Sequence, residues 1–419
     1  MKEAKMKRII SLILTLVLAV SVLSACGTPQ SEDLMKDITP KDKSGDDVVL
    51  TDVSDAAVTD FAVRLFKSSM EDGENTLISP LSVLVALSMT ANGADNETLT
   101  QMETVLGMPI DQLNSWISSY VANLPEAEKY KLSLANSIWF TDDERFTVNQ
   151  DFLQLNADYY SADIYRAAFD NATCKEINKW VEEKTDGMIK DILDEIPDSA
   201  VMYLINALAF DAEWQEIYYD YQVREGTFTT ETGEKRETDM MYSEENMYLE
   251  DEQAVGFIKY YKDCKYAFVA LLPNEGVSIS EYIASLDGEH LNDLLQNAKA
   301  AIVNASIPKF ETEYDVEMSD VLSGMGMPDA FSGATADFSK LGHSDAGNLF
   351  ISRVLHKTFI SVDERGTKAG AATVVEVEDE CAIIVEDPKQ VFLDRPFVYM
   401  LIDCETNLPF FIGTMMDVE

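Results

Sequence analysis

The chain has 419 residues, with 75 acidic against 32 basic side chains and a formal net charge of −43. That charge excludes polyanionic partners, nucleic acids and heparin-like polysaccharides alike, because they carry the same sign. An enzyme is disfavoured on inventory. The histidines are His290, His343 and His356 alone, and there is no Gly-x-Ser-x-Gly, His-Glu-x-x-His or phosphate-binding glycine loop.

The N-terminus reads as a segment apart. Lys2, Lys5, Lys7 and Arg8 precede an apolar run from Ile9 to Leu23, followed by Leu23-Ser24-Ala25-Cys26-Gly27. A basic head, a short apolar core and small residues make a secretory signal over 1–25, shorter than the roughly 20 apolar residues of a bilayer span. Leu23-Ser24-Ala25-Cys26 resembles the bacterial lipobox, which implies that Cys26 becomes a lipidated N-terminus anchoring the chain outside the cell. Residues 26–52 are polar and charged, with Pro29, Pro40 and Gly45. That composition predicts a flexible tether ahead of a domain over 53–419.

Val58, Phe61, Ala62, Leu65 and Phe66 have helical spacing, with Ser54 as a candidate N-cap. Leu81 to Met89 predicts a buried helix behind Pro80, a residue suited to a first helical turn. The stretch from Thr98 to Tyr120 holds no Lys or Arg, so no heparin-binding helix is expected there. Val201 to Phe210 is almost wholly apolar, as expected of a central strand covered on both faces. Tyr266–Leu272, Phe397–Ile402 and Phe410–Met415 are further strand candidates. Strands and helices mix without a βαβ rhythm or an internal repeat, so the class is α+β. Cys174, Cys264, Cys381 and Cys404 fit no zinc spacing and are too sparse for a disulfide framework. Cys264 and Cys404, in or beside apolar segments, are expected as buried small hydrophobes.

The most informative stretch is Asp363 to Thr373, Asp-Glu-Arg-Gly-Thr-Lys-Ala-Gly-Ala-Ala-Thr. Behind it Val375 and Val377 alternate with Glu376, Glu378 and Glu380, a strand with one buried face. Gly366, Gly370 and the alanines are poor strand formers, so the segment reads as a loop able to become a strand. Glu364-x-Gly366-Thr367-x-Ala369-x-Ala371-Ala372-Thr373 resembles the reactive-centre-loop hinge of inhibitory serpins. The resemblance extends along the chain. Asn75 to Ser82, Gly93-Ala94, Ile177-Asn178-x-Trp180-Val181, Asn206-Ala207, Pro308-Lys309-Phe310, His356-Lys357, Arg395-Pro396-Phe397 and Pro409-Phe410-Phe411-Ile412-Gly413 all match in order.

That resemblance implies a serpin fold, large mixed β-sheets with surrounding helices and a reactive loop over about 364–394. It implies an irreversible inhibitor of extracellular serine proteases: the protease attacks the loop, forms an acyl-enzyme, and is trapped when the loop inserts into the main sheet. Ser79, Ser82, Asn206 and His356 would form a polar cluster where the sheet parts, with Trp214 where the loop first enters. The sites that would face the sheet interior, Thr367, Ala369, Ala371, Thr373, Val375 and Val377, are small or β-branched and uncharged. The family's usual spacing places the scissile bond at Glu380–Cys381, implying a glutamyl-specific protease. A cut after Ala382, Ile383 or Val385 would suit an elastase-like enzyme instead. A monomer without cofactor or metal is expected. The alternative is a non-inhibitory serpin-like binding protein.

Overall fold

The computed structural model describes residues 31–41, 52–124, 130–197, 200–345, 347–367 and 387–418. Cys26, the hinge residues Ala369, Ala371, Ala372 and Thr373, and the proposed scissile pair Glu380–Cys381 lie outside the described residues.

In chain order the strands are β1 (Glu32–Asp33), β2 (Thr76–Ile78), β3 (Tyr130–Thr141), β4 (Phe146–Val148), β5 (Asp163–Ala167) and β6 (Met202–Glu213). There follow β7 (Val223–Thr229), β8 (Lys235–Glu250), β9 (Ala254–Tyr260), β10 (Tyr266–Pro273), β11 (Lys299–Pro308) and β12 (Phe310–Glu317). The last six are β13 (Gly342–Ser344), β14 (Arg353–Val362), β15 (Gly366–Thr367), β16 (Lys389–Phe392), β17 (Phe397–Asp403) and β18 (Pro409–Met415). A seven-stranded sheet runs β1-β5-β3-β6-β15-β14-β12, and a nine-stranded sheet runs β16-β11-β8-β9-β10-β17-β18-β2 with β7 on β8. Helix α1 (Asp52–Ser68) packs on β18, helix α2 (Pro80–Ala91) packs on β3 and β6 of one sheet and β18 of the other, and both belong to one large core.

Period-two alternation divides β6 between two cores. Met202, Leu204, Leu208, Phe210 and Ala212 face the large core, while Tyr203, Ile205 and Ala207 face a smaller one built with Ile177, Trp180 and Val181. A strand covered on both faces has to be apolar along most of its length, and from Met202 to Phe210 the one polar residue is Asn206. Helix α2 is buried at all twelve positions. Such a helix has no polar face and belongs inside a core. Its start is fixed locally: Ser79 is extended, its side chain accepts from the Ser82 N–H, and Pro80 supplies a pre-set first turn. Helix α1 begins two residues earlier than Ser54, which therefore lies inside the first turn and is not the cap.

The expected tether is not free throughout. Residues 31–41 are docked: Glu32 and Asp33 pair antiparallel with Arg166 and Tyr165 on the edge of the seven-stranded sheet. The Leu34 N–H donates to the Ile164 carbonyl at 2.9 Å, and Leu34, Met35 and Ile38 pack on the large core. Composition averaged over 26–52 hides these three apolar residues, whose spacing puts them on one side of a turn.

Candidate functional site

β15 is only two residues long, yet it enters the middle of a sheet. Gly366 and Thr367 pair antiparallel with Glu213 and Ala212 of β6, and Thr367 pairs with Val362 of β14. Further down, β6 and β14 meet directly, in parallel, from Leu208↔Thr358 to Tyr203↔Arg353. The seam between them is thus open at one end, filled there by two residues, and closed along the rest.

The open end is held by backbone and aromatic contacts. The Trp214 N–H donates to the Arg365 carbonyl at 2.8 Å, its indole Nε1–H to the Asp363 carbonyl at 2.9 Å, and the Tyr218 N–H to the Glu364 carbonyl at 2.8 Å. Trp214 stacks on Tyr261 at 4.4 Å, and the Tyr261 hydroxyl meets the buried Thr367 Oγ1 at 2.5 Å. Lys259 lies over the Trp214 and Tyr218 rings at 5.4 and 4.4 Å, and its ammonium donates to Glu245 at 2.9 Å. Gly366 is fixed by space: a β-carbon there would sit 1.9 Å from the Ala212 carbonyl oxygen. Any side chain would push β15 off β6. Lys309 Nζ donates to Glu364 Oε1 at 2.8 Å. Partial burial raises the Glu364 carboxyl, but the Lys309 contact, a backbone hydrogen bond and the Arg365 charge together leave the pKa lowered.

The closed part carries a polar clasp on the face turned toward α2. Asn206 and His356 stand directly opposite each other across the seam, two residues below its open end. The backbone N–H of Ser79 donates to His356 Nε2 at 3.0 Å, so that nitrogen is unprotonated and Nδ1–H donates to Asn206 Oδ1. Ser82 Oγ–H also donates to Asn206 Oδ1, at 3.1 Å. All four residues are fully buried. Burial pushes the His356 pKa down to about 3, so the ring is neutral. Asn206 Nδ2 and the Oδ1 of Asn136, its register partner on β3, are buried without hydrogen-bond partners. A strand passing between β6 and β14 must separate Asn206 from His356.

The structure therefore brings together Ser79, Ser82, Asn206 and His356, and places Trp214 apart from them at the open end beside Glu364, Gly366 and Thr367. Several contributors went unpredicted, Lys259 and its partner Glu245 among them. Lys309 stood in a matched motif, and its charge opposite Glu364 was a readable signal. Tyr218 and Tyr261 left no signal, because only the tertiary fold brings them to the hinge. Cys264 and Cys404 depart from expectation: Cys264 is exposed on a turn and Cys404 is half-buried.

Comparison with known proteins agrees with this architecture. A family model described as serpin (serine protease inhibitor) matches residues 56–418. The chain belongs to the serpin family. An uncharacterized serpin-like protein of Thermococcus kodakarensis is 30% identical over 368 residues, covering 86% of this chain and 85% of its own. A crystal structure of the thermophilic serpin tengpin in the native state is 51% identical, with a TM-score of 0.87, covering 93% of this chain and all of its own. The latent state of tengpin aligns less well, at a TM-score of 0.79 over 89% of this chain. Serpins are in general protease inhibitors and not catalytic enzymes, which agrees with the missing catalytic inventory.

Proposed function

We propose that this serpin is an irreversible suicide-substrate inhibitor of extracellular serine proteases. The observation that carries the reading is the position of β15, whose two residues already occupy the open end of the β6–β14 seam. The chain continuing from Thr367 has small or β-branched residues at every alternate position through Val377, so it can follow between the two strands. Insertion breaks one direct strand pairing and makes two new ones. A net gain of ~10 hydrogen bonds at roughly 1 kcal/mol each is on the order of 10 kcal/mol, enough to carry and distort a tethered acyl-enzyme. The intact form is then stable by its barrier and not by its minimum.

The reading extends to target and place. Glu380 as the residue before the scissile bond selects proteases with a basic specificity pocket. A bond two to five residues further on would select elastase-like enzymes. The lipobox-like sequence at Cys26 places the protein on the outer face of a bacterial membrane. Incubation with a panel of serine proteases tests the mechanism. A covalent complex surviving denaturing electrophoresis supports it, and clean cleavage by every enzyme that cuts the loop rejects inhibition. The released peptide should begin at Cys381. A start at Ile383, Ile384 or Glu386 moves the bond and leaves the mechanism. For the anchor, Cys26→Ser should move the protein from membranes to the medium or leave it unprocessed. A wild type found soluble, with an unmodified N-terminus beyond residue 26, contradicts it.

A further inference from the structure

Beside the loop entrance the structure buries a charge that packing alone does not require. The side chain of Lys259, on β9, is 3% exposed, and its ammonium donates to Glu245 of β8, 11% exposed, at 2.9 Å. The same carboxylate oxygen accepts from Ser243 Oγ–H at 2.6 Å, and Ser243 meets the Tyr218 hydroxyl at 3.2 Å. Two ring faces also lie on the ammonium, Tyr218 at 4.4 Å and Trp214 at 5.4 Å. Burial pushes the Lys259 pKa down, but Tyr218 and Glu245 outweigh it and leave it raised, so the side chain is charged.

A buried ion pair is a weak source of stability, because apolar side chains of similar volume often serve as well or better. What the ammonium adds is direction. A cation is drawn to the face of a ring and to a carboxylate, so one atom fixes the Tyr218 ring, the Trp214 ring and Glu245 together. Those two aromatic residues are the ones that hold the start of the loop. Trp214 donates its backbone N–H to the Arg365 carbonyl and its indole N–H to the Asp363 carbonyl, and the Tyr218 N–H donates to the Glu364 carbonyl. Trp214 also stacks on Tyr261, whose hydroxyl meets Thr367. Lys259 and Tyr261, two residues apart, thus back the same indole.

We propose that Lys259, held by Glu245, is the positioning residue of the loop entrance. Its buried ammonium fixes the Trp214 and Tyr218 rings, and through their N–H groups it fixes the carbonyls of Asp363, Glu364 and Arg365. The loop therefore leaves the seam from one register, with two residues inserted and no more. Without the charge the two rings keep their space but lose their common anchor, and the three carbonyls are held less firmly. The positioning itself does not depend on inhibition. Its consequence, that an intact loop waits at the entrance and does not enter unprompted, rests on the inhibitory reading above.

The test is hydrogen exchange of the intact full chain, resolved at the Trp214 and Tyr218 amides. Glu245→Gln alone leaves a buried ammonium without its carboxylate and risks misfolding, so the deciding variant is the double change Lys259→Met with Glu245→Gln, which removes both charges and keeps the volumes. In that variant both amides should exchange faster on the order of tenfold, while the amides of β10 and β17 keep their wild-type protection. Lys259→Arg, which retains the cation, should keep the Trp214 and Tyr218 amides close to wild type. Unchanged protection of these two amides in the double variant overturns the proposal, and so does an equal loss across β10 and β17, which would make the pair a general support. Warmed without protease, the double variant should also convert faster than wild type to a form whose loop can no longer be cut. An equal conversion rate overturns the consequence for the waiting loop. If the wild type never traps a protease, the inhibitory reading fails by itself, and the amide result still decides whether Lys259 positions the entrance.

Discussion

The two sheets differ in how their central strands are joined. In the nine-stranded sheet, β10, β17 and β18 are buried at every position and pair antiparallel in nearly continuous register. Met400 and Ile412 stand opposite each other on β17 and β18, fully buried in the large core. In the seven-stranded sheet, β6 and β14 meet in parallel over the six pairs from Tyr203↔Arg353 to Leu208↔Thr358. Parallel pairing is slightly weaker per residue, and the strongest side-chain link across this seam is the Asn206–His356 clasp. A sheet meant to stay whole is joined by apolar ladders. The seven-stranded sheet, which the proposed insertion requires to part, is joined by a short seam, a polar clasp and an opening already occupied by two residues.

The comparison breaks most visibly at the open end. Thr367→Arg puts a cation where the side chain is 1% exposed and the Tyr261 hydroxyl is its partner, a buried unpaired charge costing several kcal/mol. Slower insertion gives water time to release the protease. The stoichiometry of inhibition should rise on the order of tenfold or more while the loop is still cut. An unchanged stoichiometry would separate inhibition from the seam.

A substitution in the other sheet should do the reverse. Met400→Ala empties a fully buried site on β17 and should cost about 2–5 kcal/mol in denaturant unfolding. Its stoichiometry of inhibition should stay near wild type, because β17 lies outside the seam that the proposed insertion opens. A large rise in stoichiometry there would mean that the two sheets open together.

The clasp gives a smaller, pH-dependent effect. The His356 pKa falls from an ordinary 6.5 when unfolded to about 3 when folded. Between these values the unfolded chain binds the extra proton, so the contribution of the neutral ring is complete above 6.5 and is lost as pH falls toward 3. The slope is at most about 1.4 kcal/mol per pH unit. From pH 7 to pH 4 the wild type should lose about 2–3 kcal/mol more stability than His356→Gln. Equal losses in the two proteins would show that the ring titrates normally.

The smallest effect is expected at Lys309. Its pair with Glu364 is one-third exposed on both sides, so Lys309→Ala should cost no more than about 1 kcal/mol. Its kinetic signature is more useful. With Glu364 released from one wall of the opening, conversion of the intact protein to an uninhibitory form on warming should speed up. A conversion rate equal to wild type would show that Lys309 only decorates the hinge.

Much of this was legible in the chain. The apolar run of β6 and the all-buried α2 announced a strand covered on both sides and a helix beneath it, and small residues after Gly366 marked a segment able to enter a sheet. The ladder partners were not legible. That Thr367 meets Ala212, or that Asn206 faces His356, depends on pairing between strands some 150 residues apart, for which local periodicity carries no signal. The docking of residues 31–41 was missed because a charged average concealed Leu34, Met35 and Ile38. The exposed turn of Cys264 was missed because the neighbouring apolar strand suggested burial.

The central claim is that the β6–β14 seam is an incomplete join which the loop can complete. Its most direct measurement is the thermal midpoint of the protein before and after a single cut in the loop, with the C-terminal segment retained. If the cut loop fills the seam, the cleaved form gains a central strand and melts well above the intact form. A cleaved form that melts at or below the intact temperature contradicts the claim and favours a non-inhibitory serpin whose loop is only an exposed strap.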